Sequence, residues 1–420
     1  MLFMTSGPYA RRRAIVLSIG LIAATALTAC APGAQNAGKS AEQNGDGALT
    51  VWHYYGGGAT APFESLLAKY TDETGVEVTP RLIPFGDFNR TLLQSATAGD
   101  LPDVALVNAF DTALFADAGM IIDLSEQVEK WGEKDQYFDG SWATTQFDGA
   151  TYGIPHVADT YSLWYNETRL EEANTEVPTT WDETEATAKA LSDGQNFGLV
   201  YAGIEGAEGS TAFILRFLAA GGDITKIDGP EGLAAMESFA RMNDEKSTSP
   251  GVLTWNEDDT TLQFQNETAA MMINSASYMT AVSEESDATW NIAPMPEDAV
   301  QTSFLSAENL TITKDSANVD AAWDLVEWMQ QPDVMNEYLP ERNKLPVRED
   351  TASDEQWSDA KVQTFINQLD VAWAPDEKVA PKSAEIFTAI QNALQAVLSG
   401  QSDPQTALTD AQLVIDKALG

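Results

Sequence analysis

The 420-residue sequence holds one cysteine and two histidines. The cysteine, Cys30, lies close to the N-terminus. That excludes an intrachain disulfide, a Cys-ligated zinc and a catalytic thiol inside a folded domain. His53 and His156 stand far apart in the chain and make a poor transition-metal site, so no metal and no cofactor are expected. Lys and Arg number 23 against 64 Asp and Glu, a net charge of −41. Nucleic acid needs clustered cations and is excluded as a partner, and anionic ligands are disfavoured. The acids are spread along the chain rather than massed, the pattern of a solvated surface. Beyond the first 29 residues no apolar run is long enough to cross a bilayer. There is no GxGxxG, no GK[ST] and no GxSxG, which removes a nucleotide loop and a serine elbow. There is no internal repeat, which speaks against a structural or adhesive protein.

What is present begins with an export signal. Arg11, Arg12 and Arg13 precede an uncharged apolar run from Ala14 to Leu27, too short to span a membrane as a helix. It ends in Leu27-Thr28-Ala29-Cys30, which resembles the lipobox of bacterial lipoproteins. That resemblance implies a signal peptide over 1–29 and a lipid on Cys30. Residues 30–48, rich in Ala, Gly, Gln, Asn and Ser, cannot bury enough surface to order themselves and read as a flexible tether. The expected location is the outer face of the cell membrane, with contact to the membrane only through the lipid.

The remainder, roughly 390 residues, is long for one core and suits two domains. Leu49–Tyr54 reads as a strand running into Gly56-Gly57-Gly58. A helix follows with Phe63, Leu66, Leu67 and Tyr70 on one face, closed by Gly75. A strand over 76–84, a helix over 88–98 and a short buried strand over 104–107 continue an alternation that predicts a parallel sheet covered by helices. Residues 126–149 read as irregular. Tyr152–Tyr165 reads as two short extended segments with a kinked joint, punctuated by Gly153 and Pro155, and is the expected crossover between lobes. A second alternating run extends to Pro296, 306–312 recrosses, and the tail is mostly helical, with apolar spacing at Trp323, Val326 and Met329 and at Ile386, Ile390, Leu394 and Leu398.

Several segments, in order, carry a resemblance. They are Thr74-Gly75-Val76-Glu77-Val78, Leu101-Pro102-Asp103-Val104, Tyr152-Gly153-Ile154-Pro155 with Trp164-Tyr165-Asn166, and Pro178-Thr179-Thr180-Trp181-Asp182-Glu183. Asn309-Leu310-Thr311-Ile312 and the helix from Ala321 to Met329 follow. Together they resemble the extracellular solute-binding proteins of sugar-transporting ABC importers. Phe264 with Glu267-Thr268-Ala269-Ala270-Met271 matches in part, with Glu267 where that family has glycine. The resemblance implies an α/β, two-lobed periplasmic-binding-protein-like fold (type II), each lobe a mainly parallel sheet flanked by helices, with hinge crossovers. The expected division is 49–157 with 306–350 as lobe 1 and 158–305 with 351–420 as lobe 2, the final helix belonging to lobe 2 or returning to lobe 1.

Ligands in open α/β sheets sit beyond the carboxyl ends of the strands. That rule nominates Trp52, His53, Tyr54 and Tyr55 after the first strand, Asp87 ahead of the second helix, and Asn108 and Asp111 after the third strand. In the second run it nominates Trp255, Asn256, Asn274, Tyr278 and Trp290. The crossings add His156, Asp159, Tyr161, Glu308 and Asn309, and the tail adds Arg342 and Trp373. Trp52 fits a core position as well as a site. His156 suits hydrogen bonding better than metal binding. Pyranose faces pack on aromatic rings and hydroxyls need fixed donors and acceptors, so the set suits a carbohydrate, an oligosaccharide above all. The expected protein is a monomeric, non-catalytic receptor that captures sugar by hinge closure. The resemblance adds a membrane permease, driven by a separate ATPase, as partner. The alternatives are a secreted glycoside hydrolase using a carboxylate pair and a receptor for a polyol or a glycerol phosphodiester.

Overall fold

Alternation along the strands sets the layers. In β1 (Leu49–His53) Leu49 and Val51 enter one core and Trp52 the core on the opposite face. The structure, a computed structural model, describes residues 47–286 and 288–420. The leader, Cys30 and nearly all of the tether expected from the sequence lie outside the described residues. The other strands are β2 (Val78–Leu82), β3 (Val104–Asn108), β4 (Gln146–Phe147), β5 (Ala150–Thr151), β6 (Ile154–Asn166), β7 (Phe197–Val200), β8 (Ala269–Ser275), β9 (Trp290–Ala293), β10 (Ser303–Ile312) and β11 (Ala372–Trp373).

The main sheet runs β2-β1-β3-β10-β6-β8-β7, with β9 also on β6 and β11 also on β10. β4 and β5 form a separate hairpin. The outer pairs β1–β2, β1–β3 and β7–β8 are parallel, as helical crossovers require. β6 and β10 are antiparallel to each other and serve both ends of the sheet. The first part of β6 pairs with β10, and its last part lies between β8 and β9. The last part of β10 pairs with β3, and its first residues take β11.

Two segments differ from the sequence reading. Tyr152–Tyr165 is not two segments with a kink; Ile154–Asn166 is one continuous strand. Its irregularity is a bulge: Glu308 faces Val157 and Asn309 faces Pro155, leaving His156 as the extra residue. Pro155 has no N–H for the ladder, which suits it to this place. The stretch 126–149 contains the helices Ser125–Trp131 and Asp139–Ala143, too short for periodicity to reveal.

Helices Thr60–Thr74 and Val319–Met329 cover one face of the first sheet end, burying Phe63, Leu67, Leu325 and Met329. Helix Phe85–Ala98 covers the other through Phe88 and Leu92. At the second end, helices Thr211–Ala219, Pro230–Asp244, Ser383–Leu398 and Pro404–Leu419 share a core that includes Phe213, Phe239, Ile390 and Leu408. No helix among the described residues is long and apolar enough to cross a membrane.

Candidate functional site

Polar and aromatic side chains converge where β6 and β10 cross between the two ends of the sheet. Asp159 of β6 is the anchor. Its carboxylate accepts from the N–H groups of Ala276 (2.9 Å) and Ser277 (3.2 Å), from the Ser277 hydroxyl and from Lys344 Nζ (3.3 Å). Lys344 arrives there because Leu345 exchanges both backbone hydrogen bonds with Ala158. Two residues along β6, the Tyr161 hydroxyl donates to Glu257 at the start of helix Glu257–Gln265. The Glu257 N–H in turn donates to Glu208 (2.8 Å), and the Tyr278 hydroxyl to Asp258 (3.0 Å).

From the first sheet end come Tyr54 and Tyr55, just past β1, and Asp111, just past β3. The Arg342 guanidinium lies 3.8 Å from the centre of the Tyr55 ring, and its Nε donates to the Tyr338 hydroxyl at 3.0 Å. Asp111 accepts from Asn89 Nδ2 at 2.8 Å. Glu308, on β10 opposite Val157, is buried, and its Oε2 meets no hydrogen-bond donor. An aromatic group formed by Phe110, Phe304, Phe387 and Trp373, with rings 5.7–6.3 Å apart, adjoins Tyr161.

Burial dominates the electrostatics. It pushes the Glu257 carboxyl up to about 7; the Tyr161 hydrogen bond opposes this and Glu208 and Asp159 reinforce it. Burial also raises Glu308, against the pull of Lys344 and Arg342. Burial works against the Lys344 ammonium, but Asp159 and Glu308 outweigh it and hold Lys344 above its ordinary value. The site therefore offers fixed cations, carboxylates and phenolic hydroxyls beside aromatic rings. That inventory can hold a hydroxyl-rich molecule by charge-assisted bonds and ring contacts.

Residues 65–364 match the family model described as bacterial extracellular solute-binding protein. This chain belongs to that family. Among curated relatives, a binding protein of Brucella abortus is 24% identical over 404 residues, covering 90% of this chain and 95% of its own. The galactooligosaccharide-binding protein of Bacillus subtilis is 22% identical, covering 92% of each. Among solved structures, the sugar-binding protein MalE of Xanthomonas citri superposes with a TM-score of 0.78 at 21% identity, covering 89% of this chain and 97% of that one. These structural likenesses establish the two-lobed fold.

Within this solute-binding protein the nominated residues divide. The crossing gathers Tyr54, Tyr55, Asp111, Asp159, Tyr161, Tyr278, Glu308 and Arg342, with Trp255 and Trp373 half-buried nearby. Others are turned elsewhere and do not join the crossing. Trp52 packs against Ile83 and Phe88 with Arg81 over its ring at 4.2 Å. His53 is enclosed beside Phe63, and Trp290 lies against Trp164 with Lys361 on its face. Asn309 ties β10 to Thr112 and Thr144, and Asn274 ties β8 to Thr261. Asn108 caps the 3-10 turn Ala109–Asp111, and Asn256 caps the helix Glu257–Gln265. Asp87 pairs with Arg90 at the surface. His156 is fully buried, with Nδ1 3.2 Å from Gln330 Nε2 and its ring stacked on Tyr338 at 5.3 Å. It thus stands behind Arg342 rather than in the site.

Four participants were not foreseen: Lys344, Glu257, Glu208 and Tyr338. Lys344 sits two residues beyond Arg342, in the return loop that follows its helix, and Glu257 next to Asn256. A window of two residues around each nominated position would have found both. Nothing in the sequence near Glu208 or Tyr338 marks them.

Proposed function

We propose that this protein is a carbohydrate receptor, binding an oligosaccharide, and that it passes its ligand to the membrane permease of an ABC importer. The observation that carries this reading is the convergence of carboxylates, cations, tyrosines and aromatic rings at the crossing of β6 and β10, strands that both ends of the sheet share. A molecule bound there contacts both lobes, so it favours the closed arrangement by its differential contacts. The lobes are 49–157 with 306–350 and 158–305 with 351–420. The reading is supported by what relatives are named for: galactooligosaccharides in Bacillus subtilis and maltooligosaccharides in Streptococcus pneumoniae. It is supported also by a similar fold in the cyclic α-maltosyl-1,6-maltose binding protein of Arthrobacter globiformis, with a TM-score of 0.77. The protein captures and releases without turnover, works as a monomer, and is held to the membrane by a lipid on Cys30 after the Leu27-Thr28-Ala29 sequence.

Isothermal titration with maltotetraose, a β-1,4-linked galactotriose and glycerophosphocholine tests this. A saccharide is expected to bind at roughly micromolar dissociation constant, about −8 kcal/mol. Small-angle scattering should contract on its addition. Sustained hydrolysis of a glycoside, or heat from none of the saccharides, would refute the reading.

A further inference from the structure

Arg342 and Glu308 are each about nine-tenths buried and carry opposite charges. They do not pair. Among the described residues Arg342 forms no ion pair: its Nε is spent on the Tyr338 hydroxyl and its plane rests on Tyr55. Lys344, the other nearby cation, is committed to Asp159. Glu308 Oε2 accepts no hydrogen bond. Acids outnumber bases 64 to 23 in this chain, so an arginine buried without a carboxylate does not reflect a shortage of acids. Buried charges are ordinarily paired or hydrogen-bonded, because neither water nor apolar surroundings compensate them otherwise. Here two opposite charges, both acting on Tyr55, form no ion pair among the described residues.

We infer that Glu308 and Arg342 are the two walls of a slot for neutral, neighbouring hydroxyls of the captured ligand. The inference rests on the carbohydrate reading above. A hydroxyl both donates and accepts. One hydroxyl can give its proton to Glu308 Oε2 while its neighbour takes an N–H from Arg342, and each charge is then satisfied by a molecule that adds none. An anionic group would suit Arg342 and be repelled by Glu308; a cationic group would meet the reverse. The slot therefore selects uncharged sugars over uronates and phosphodiesters. Tyr338 acts as a positioning residue: its hydroxyl fixes Arg342, and its ring is braced by His156.

Titration of wild type, Glu308→Gln and Arg342→Met with the three probes named above decides the matter. Each substitution is expected to weaken saccharide binding at least about tenfold. Tyr338→Phe should weaken it less while leaving the melting temperature near that of wild type. Saccharide affinity unchanged in both Glu308→Gln and Arg342→Met would overturn the slot and leave the carbohydrate reading standing. Glycerophosphocholine bound by wild type as tightly as any saccharide would show that the two charges take an anion and a cation, and would overturn the slot. If wild type binds no saccharide, the carbohydrate reading fails and the slot with it. A ligand-free measurement stands apart from these. Apo Glu308→Gln should melt close to wild type, because among the described residues Glu308 forms no ion pair and its Oε2 accepts no hydrogen bond, and a large fall would show that Glu308 is paired and refute the slot.

Discussion

Lys344 Nζ lies 3.3 Å from Asp159 Oδ2, joining the return loop after helix Pro332–Arg342 to the middle of β6. The two partners are unequal. Asp159 also accepts from two backbone N–H groups and a hydroxyl, whereas Lys344 has no second ion pair among the described residues. Asp159→Ala strands the ammonium and two amides and should cost about 3–5 kcal/mol. Lys344→Met leaves Asp159 with its other donors and should cost about 1–2 kcal/mol. Urea denaturation of both variants tests the asymmetry; equal losses would contradict it.

Glu257 gives stability a pH dependence. Its carboxyl is raised from 4.5 to about 7, mainly by burial. A raised carboxyl binds its proton more tightly when folded, so its contribution is fully present below 4.5 and is lost as pH climbs to about 7. His156, lowered to about 3 by burial, acts in the opposite sense, losing stability as pH falls from 6.5 toward 3. Comparing Glu257→Gln with wild type isolates the carboxyl: the variant should melt higher at pH 8 and show no advantage at pH 4.5. Parallel melting curves across that range would refute the assignment.

Glu267 adopts a left-handed backbone, φ 59°. A side chain there costs about 1–2 kcal/mol, and glycine recovers part of it. Its carboxylate takes a long contact from Asn166 at 3.5 Å and a screened attraction from Arg169. Glu267→Gly should therefore stabilise the fold by about 0.5–1 kcal/mol in thermal denaturation.

Gly198 sits where β7 touches the last turn of helix Trp181–Ala190. A Cβ on it would lie 1.8 Å from the Ala188 carbonyl oxygen, and the backbone it meets cannot yield like a flexible side chain. Gly198→Ala should cost at least about 3 kcal/mol, visible as a large drop in melting temperature.

Trp255 and Trp373 are half-buried beside the site, Trp373 against Phe304 and Phe387. Replacing either by alanine should weaken saccharide binding by about 1–3 kcal/mol with little change in the unfolding midpoint. Unaltered affinity in both would place the ligand elsewhere.

Local chemistry carried much of the fold. Thr180 and Glu183 form the capping box their spacing suggests. The apolar faces at Phe63, Leu67 and Tyr70, and at Ile386, Ile390 and Leu394, are buried as their helical period requires. These features need only neighbours within a turn or two, so the sequence by itself determined them, together with the order of strands and helices that marks the family. Which side chains meet at the site was decided by tertiary structure. β10 reaches β6 from far along the chain, and their register, bulge included, brings Glu308 and Asp159 to one place while carrying His156 and Asn309 into cores. Lys344 reaches Asp159 only because Leu345 docks on Ala158. An amino-acid pattern records the period of a strand but not its partner, and whether a buried charge stands alone or paired depends on that partner.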